Sequence, residues 1–252
     1  MNILILGGTT EASAVARGLA GDARFRPVLS LAGRTRTPVP PPVPWRSGGF
    51  GGVDGLAAYL AAQEVDALVD ATHPFAAQIS RNAVLAAGLV GVPHLAVLRP
   101  AWIAGPGDAW AFVQDMPAAA LALGRQARRV LLTVGQQELA PFAMAPWHHY
   151  LIRSVDAPPV SLVPPDARVM AARGPFAWAD EVRLLAAERI EVLVTKNSGG
   201  TATAAKLAAA RALGVRVVMV QRPPAPHRTV PDAASALAWL HHGAAGGWDR
   251  GA

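Results

Sequence analysis

The apolar residues of this 252-residue chain form short runs that alternate with segments of helical periodicity. Eight runs of four or five residues predict buried strands, at 2–6, 27–31, 67–70, 94–98, 130–133, 150–154, 192–195 and 216–220. Helical periodicity predicts helices at 13–19, 53–63, 75–87, 117–123, 137–143, 178–188, 201–213 and 233–241, the third of them ended by Gly88. Continuous apolar strands separated by helices are typical of parallel sheets covered on both faces. The pattern therefore predicts an α/β fold.

The alternation pauses once, at the segment RPAWIAGPGD (99–108). We take this pause as a boundary between two Rossmann-like lobes with mainly parallel sheets, spanning residues 1–103 and 104–252. The pattern leaves open whether strands cross between the lobes. Because α/β folds bind ligands at the carboxyl ends of their strands, we expect the active-site cleft between the two lobes.

Composition narrows the class of protein. The chain has no cysteine, which excludes disulfides and thiolate metal sites and fits a reducing cytoplasm. No apolar run approaches the roughly 20 residues of a transmembrane helix, so we expect no membrane partner. Of the 23 basic residues 21 are arginines, and the net charge is +6. The arginines are scattered, which disfavours nucleic acid and favours a small anionic ligand. A codon bias explains the same composition equally well.

The first strand ends in GGTTEA, where adjacent glycines allow a sharp turn into a helix. Backbone N–H groups at such a helix start can face a pyrophosphate. The candidate residues for this contact are Gly7, Gly8, Thr9, Thr10 and Glu11. The spacing departs from G-x-G-x-x-G, and the last three residues also serve as ordinary helix caps.

The second predicted strand carries no acid at its end, where sites specific for NAD often place one. Ser30, Arg34 and Thr35 stand there instead. Because an arginine at this position suits a 2′-phosphate, the segment favours NADP(H) over NAD(H).

The third predicted strand ends at DATHP, which places Thr72 and His73 at the ligand-binding edge. His73 is a candidate to contact the nicotinamide or donate a proton. A structural hydrogen bond is the alternative role for a single histidine at a strand end.

The second lobe repeats this arrangement in TKNSGG, a candidate anion site made of Lys196, Asn197, Ser198, Gly199 and Gly200. The segment lacks G-x-x-x-x-G-K-[ST], so ATP hydrolysis is not supported. Arg222 follows the next strand and could pair with a substrate carboxylate, or simply form a rigid exit turn. Neither histidine pair has ligand spacing, and we predict no metal site.

Taken in order, ILILGGTTEA, SLAGRT, GGFGG, DATHPFAAQIS and TKNSGG resemble the precorrin-6A reductase family of cobalamin biosynthesis. The resemblance implies two Rossmann-like lobes with NADPH bound between them, and hydride transfer to the tetrapyrrole precorrin-6A to give precorrin-6B. Matched by motif, the nucleotide side would include Gly8, Thr9, Thr10, Glu11, Ser30, Arg34 and His73. The side facing the macrocycle would include Lys196, Ser198, Gly199 and Arg222.

Several points stay open at this level. His73 and Lys196 are the candidate catalytic residues for protonation, with bound water as the alternative. The substrate could carry cobalt, and a non-catalytic sensor of NADP(H) or tetrapyrrole could use the same fold. Substrate hand-over to other cobalamin-pathway enzymes is a further expectation. A short-chain reductase is disfavoured, because neither Tyr59 nor Tyr150 has a lysine four residues later.

Overall fold

The computed structural model describes residues 1–33, 40–225 and 228–246. The chain divides into two compact units. Unit 1 contains Met1–Pro100 and the C-terminal segment from Pro223 onward, and unit 2 is Ala101–Arg222. Each unit contains one six-stranded sheet in which every strand pairing is parallel. The predicted α/β class with two parallel sheets is confirmed.

The strands, in chain order, are β1 (Asn2–Leu6), β2 (Arg26–Leu31), β3 (Trp45–Ser47), β4 (Ala67–Asp70), β5 (His94–Val97), β6 (Trp110–Val113), β7 (Arg129–Thr133), β8 (His149–Ser154), β9 (Ala167–Ala171), β10 (Val192–Lys196), β11 (Arg216–Val220) and β12 (Thr229–Val230). The α-helices are α1 (Thr10–Leu19), α2 (Gly52–Ala62), α3 (Ala77–Val90), α4 (Met116–Ala122), α5 (Trp178–Ala187), α6 (Ala205–Leu213) and α7 (Ala233–Ala244). Short 3₁₀ turns span Gln136–Glu138, Ala140–Met144 and Val160–Leu162.

Sheet 1, in unit 1, has the strand order β12-β5-β4-β1-β2-β3. Side chains of a strand alternate between the two faces of a sheet. Ile3 and Ile5 accordingly lie in a core with α1 and α7, whereas Leu4 and Leu6 pack on the opposite face with α2 and α3. Both faces are covered by helices, which is why β1 is apolar at consecutive positions.

The C-terminal segment corrects the predicted lobe boundary, which assigned all of residues 104–252 to the second lobe. β12 pairs with β5 in sheet 1, and α7 packs against α1. This packing is close, because a Cβ at Gly18 of α1 would lie 2.4 Å from Cδ1 of Leu237 of α7. The apolar face of α7 is therefore buried in unit 1.

Sheet 2, in unit 2, has the strand order β6-β11-β10-β7-β8-β9. Leu131, Leu193 and Val217 share a buried core with α5 and α6. The opposite side of the sheet is packed by α4, whose Ala119 and Ala120 are buried. The sheet holds the polar segments that follow β7, β8 and β10 at one common edge, because its strands all run in the same direction.

Several predicted elements differ in extent. Gly88 lies inside α3, and the helix ends instead at Gly91, which has a left-handed conformation with φ 69°. The predicted helix at 137–143 consists of 3₁₀ turns, and the helix predicted from 201 begins at Ala205. Within the described ranges, no helix is long and apolar enough to cross a membrane.

Candidate active site

The first candidate site lies where the strand order of sheet 1 changes direction. β1 stands between β2 and β4, so the connections from β1 and from β4 leave the sheet at its switch point. Open α/β sheets bind ligands in the crevice at the carboxyl ends of such strands. The predicted glycine turn at Gly7–Gly8 follows β1, and the predicted Thr72–His73 segment follows β4. The structure thus brings these two sets of candidates to one edge.

The glycine turn is held close to the neighbouring strand. The N–H of Gly7 donates to the carbonyl of Ser30 at 2.9 Å, and a Cβ at Gly7 would lie 2.6 Å from Cδ1 of Leu29. Gly8 has φ 109°, a conformation that favours glycine. Apart from Gly8 itself and its two chain neighbours, no described residue has a heavy atom within 4 Å of the position a Cβ would take at Gly8. The turn therefore combines close packing at Gly7 with open space at Gly8.

Thr9 ties the two sides of this switch point together. Its Oγ1 donates to the carbonyl of Ala71 at 2.6 Å and accepts the N–H of Ala12 at 3.1 Å, which caps α1. Glu11, in the first turn of α1, accepts a hydrogen bond from Arg99 at 2.6 Å. This ion pair fixes the Glu11 carboxylate at the start of the helix, and the hydroxyl of Thr10 also donates to it.

The segment after β4 is organised by a buried carboxylate. Asp70 accepts hydrogen bonds from the N–H of Thr72 at 3.0 Å and from its hydroxyl at 2.6 Å. Nδ1 of His73 accepts the N–H of Phe75 at 3.3 Å. With Nδ1 as an acceptor, a neutral imidazole carries its proton on Nε2. Nε2 is therefore the donor nitrogen of His73 in this tautomer.

The end of β2 holds a cation that sequence reasoning missed. Arg46 donates to Oγ of the buried Ser30 at 2.8 Å and to the carbonyls of Gly48 and Gly49 at 3.0 Å each. Its guanidinium also lies 4.0 Å from the ring centroid of Phe50. Arg46 therefore fixes the GGFGG segment beside Ser30. The predicted Arg34 and Thr35 lie outside the described residues.

The second candidate site is the corresponding switch point of sheet 2, where β7 stands between β8 and β10. Lys196, at the end of β10, donates to both carboxylate oxygens of Glu138 at 2.9 Å. Glu138 also accepts the N–H of Gly135 at 2.7 Å, so it connects Lys196 to the turn after β7. The predicted lysine is thus part of an ion pair that spans the switch point.

Trp102 clamps the predicted anion loop from two sides. Its backbone N–H donates to Oδ1 of Asn197 at 2.8 Å, and Nδ2 of Asn197 donates to its carbonyl at 2.9 Å. Its indole N–H donates to the carbonyl of Gly200 at 3.1 Å. Arg222 donates through Nε to the carbonyl of Asn197 at 2.6 Å. The structure therefore brings Arg222 to the same loop as Lys196 and the buried Ser198.

Two further ionisable groups near this edge are buried. Arg153, at the carboxyl end of β8, forms a two-pronged ion pair with Glu181 of α5, and its guanidinium lies 4.1 Å from the ring centroid of Phe176. Lys206, in the first turn of α6, is only 5% exposed. Its ammonium donates to Oγ1 of Thr133 at 3.2 Å and lies 5.6 Å from the ring centroid of Trp102.

Burial is the main cause that lowers the pKa of Lys206, from 10.5 to about 7. Repulsion from Arg153 lowers it further, and the carboxylate of Glu181 opposes the change. Lys206 and Lys196 are the only two lysines in the sequence, and this rarity is the sequence signal that could have pointed to Lys206. Among the residues that the structure describes, no three His, Asp or Glu side chains are placed to hold a metal ion.

The buried amine predicts a pH-dependent gain in stability for Lys206→Met. The unfolded chain keeps this lysine protonated up to about pH 10.5, whereas the folded protein releases the proton near pH 7. Unfolding therefore takes up a proton between these values, and the stability of the natural protein falls as the pH drops from 10.5 to 7. We expect the variant to be more stable by roughly 2–4 kcal/mol at pH 7, allowing about 1.4 kcal/mol per pKa unit less the lost hydrogen bond.

Urea unfolding of both proteins between pH 6 and 10 measures this difference. The gain should shrink steadily toward pH 10 and stay constant below pH 7. A difference that is independent of pH would show that the amine titrates normally in the folded protein.

Known proteins resemble this chain in both sequence and structure. The family described as Precorrin-6x reductase CbiJ/CobK matches residues 2–241. A Precorrin-6A reductase from Sinorhizobium sp is 52% identical over 243 residues, which cover 95% of this chain and 92% of that protein. The solved structure of CobK precorrin-6A reductase superposes with a TM-score of 0.91 at 47% identity, and the match covers 100% of this chain and 98% of that one.

A Cobalt-precorrin-6A reductase from Synechocystis sp is more distant, at 27% identity over 239 residues, which cover 91% of this chain and 90% of that protein. The family match spans nearly the whole chain, including both switch points and most of α7, the helix that returns to unit 1. This chain therefore belongs to the precorrin-6x reductase CbiJ/CobK family.

Proposed function

We propose that this protein catalyses the NADPH-dependent reduction of precorrin-6A to precorrin-6B in cobalamin biosynthesis. The observation that carries the proposal is the 52% identity, over 95% of the chain, to a Precorrin-6A reductase. The geometry supports it independently, because each sheet presents polar residues at the carboxyl edge of its switch point. One edge suits a dinucleotide and the other suits an anion.

The first edge fits a nicotinamide dinucleotide. The open space at Gly8 and the capped start of α1 leave backbone N–H groups available for a pyrophosphate. We assign Gly7, Gly8, Thr9 and Thr10 to this contact. The bound cofactor would supply the hydride, and Nε2 of His73, beside Thr72, is the candidate proton donor of this edge.

The phosphorylated cofactor is favoured by charge at the end of β2. No acidic residue stands between Ser30 and Thr37 to hold ribose hydroxyls, and Arg34 with Thr35 suits a 2′-phosphate. Arg46 adds a second guanidinium beside Ser30. Glu11 belongs to this edge through its ion pair with Arg99 at the start of α1, and we keep it among the residues proposed to line the cofactor.

The second edge suits the carboxylates of the tetrapyrrole. Lys196 and Arg222 bring two cations to the loop of Asn197, Ser198, Gly199 and Gly200. Charge-assisted hydrogen bonds to carboxylates are stronger than neutral ones. Glu138 holds the Lys196 ammonium in place, so the cation is oriented before a ligand arrives. Lys196 is the candidate proton donor of this edge.

An anaerobic assay tests the proposal. The purified protein should oxidise NADPH steadily when precorrin-6A is added, and much more slowly with NADH. The higher identity to a Precorrin-6A reductase than to a Cobalt-precorrin-6A reductase favours the metal-free substrate. Stoichiometric binding of NADPH and precorrin-6A without turnover would contradict the proposal. Preference for the cobalt-loaded substrate would assign the enzyme to the other named activity.

The cofactor assignment predicts a selective effect of Arg34→Ala. Loss of one charge-assisted hydrogen bond costs about 1.5–3 kcal/mol, so the Kd for NADPH should rise roughly 10- to 100-fold. The Kd for NADH should change little, because NADH lacks the 2′-phosphate. Fluorescence titration of both cofactors measures this. Arg26→Ala, an exposed arginine at the opposite end of β2, is the matched control, and equal losses for both cofactors would defeat the assignment.

The substrate assignment predicts that Lys196→Ala raises KM for precorrin-6A about 10-fold or more and leaves the Kd for NADPH unchanged. Because the single variant leaves Glu138 without its lysine partner, the double variant Lys196→Ala/Glu138→Gln separates the loss of the cation from an uncompensated acid. Arg183→Ala, an exposed arginine of α5, is the control. Unchanged kcat and KM in both variants would remove Lys196 from the site.

A further inference from the structure

Lys206 is a buried base for which the proposed reduction has no direct use. Lys206 lies in the first turn of α6, and its side chain extends to Thr133 at the end of β7 and to the indole of Trp102. Its hydrogen bond is to a neutral hydroxyl, which itself donates to the carbonyl of Val194 at 3.1 Å. An ammonium in this position therefore receives little compensation for its lost hydration.

The charged groups around Lys206 come from four other parts of unit 2. Arg153 extends from β8 and Glu181 from α5, and these two are paired with each other. Lys196 extends from β10 and is paired with Glu138 of the turn after β7. The group thus contains three bases and two acids, and each acid already has a basic partner. A proton on Lys206 adds a third positive charge to this group.

An anion at this edge changes that balance. Carboxylates that bind near Lys196 and Arg222 supply negative charge to a buried group that has one base more than it has acids. A nearby opposite charge favours the charged form of a titratable group. The lowered pKa of Lys206, about 7 in the free protein, leaves room for this effect at physiological pH.

The charge on Lys206 also bears on the loop that would hold the ligand. A cation beside an indole ring is attracted by the ring more strongly than a neutral amine is. Trp102 is the residue that clamps the loop at Asn197 and Gly200. Protonation of Lys206 therefore strengthens its contact with the side chain on which the geometry of the loop depends.

We propose that the carboxylates of the substrate, when bound at the carboxyl edge of sheet 2, draw one proton onto Lys206, so that this side chain is an ammonium in the complex. This inference rests on the proposed function, because it takes the polycarboxylate tetrapyrrole as the anion. Lys206 is then a positioning residue, which acts through its charge and through Trp102 without touching the substrate.

Calorimetric titration counts the proton directly. Precorrin-6A is titrated into the full-length protein at pH 8, with saturating NADP⁺ to prevent turnover, in two buffers of different ionisation enthalpy. The natural protein should take up about one proton for each substrate bound. Lys206→Met, which has no titratable group, and Lys206→Arg, whose guanidinium stays protonated, should both take up none.

The pH profile of KM distinguishes the two variants. For the natural protein, KM for precorrin-6A should rise about tenfold per pH unit above pH 7 and then level off, as expected for a single linked proton. Lys206→Arg should keep a low KM that is independent of pH, and Lys206→Met a high one. A purely structural role for Lys206 would raise KM in both variants and leave its slope with pH unchanged.

Persistence of the proton uptake in Lys206→Met would overturn the inference, as would catalytic turnover by a natural protein that takes up no proton on binding. Lys206→Met carries the test alone if Lys206→Arg does not fold, and urea unfolding in parallel verifies its fold. A natural protein that neither binds nor reduces precorrin-6A would instead refute the proposed function, and this inference would fall with it.

Discussion

Parallel strand pairing is the constraint on which both candidate sites depend. When every strand of a sheet runs in one direction, every carboxyl end and the polar loop after it lie at the same edge. In sheet 1 this brings the Gly7–Gly8 turn beside the segment after β4, and Thr9 joins the two by a hydrogen bond to Ala71. In sheet 2 it brings Lys196 to Glu138. Residues more than 50 positions apart in the chain meet because their strands are neighbours.

The two edges use different chemistry. The edge of sheet 1 is built from backbone amides, hydroxyls and a capped helix. These groups suit the pyrophosphate of a dinucleotide, which is doubly charged and accepts several hydrogen bonds. The edge of sheet 2 is built from one buried ion pair, one partly buried ion pair and an extra lysine. A buried charge is costly unless it is paired. The group around Lys206 has one base more than it has acids, so a proton on Lys206 is unfavourable until an anion binds nearby. The buried lysine lowers the free energy of unfolding of unit 2, and binding of the anion would offset this loss.

The inner strands of each sheet could be predicted from sequence, whereas the outermost strands could not. All eight predicted strands are present, and the four that were missed, β3, β6, β9 and β12, are the four outermost strands of the two sheets. An edge strand is covered less completely, so it needs no continuous apolar run; β9, for instance, has three exposed residues among its five and none that is fully buried.

The same reason explains which site residues could be predicted from the sequence and which could not. Lys196 ends an apolar strand and Gly8 follows one, and both were found. Arg46 lies in the edge strand β3, and Trp102, Arg153 and Lys206 come near one another only through tertiary packing.

The return of β12 and α7 to sheet 1 has a consequence for biosynthesis. At the ribosome, unit 1 emerges first, yet β5 lacks its outer neighbour and α1 lacks its cover until roughly 120 further residues have been made, a delay on the order of ten seconds. Unit 2 is continuous in the chain and can close as soon as Arg222 appears. Unit 1 is therefore translated first, but its fold is completed after that of unit 2.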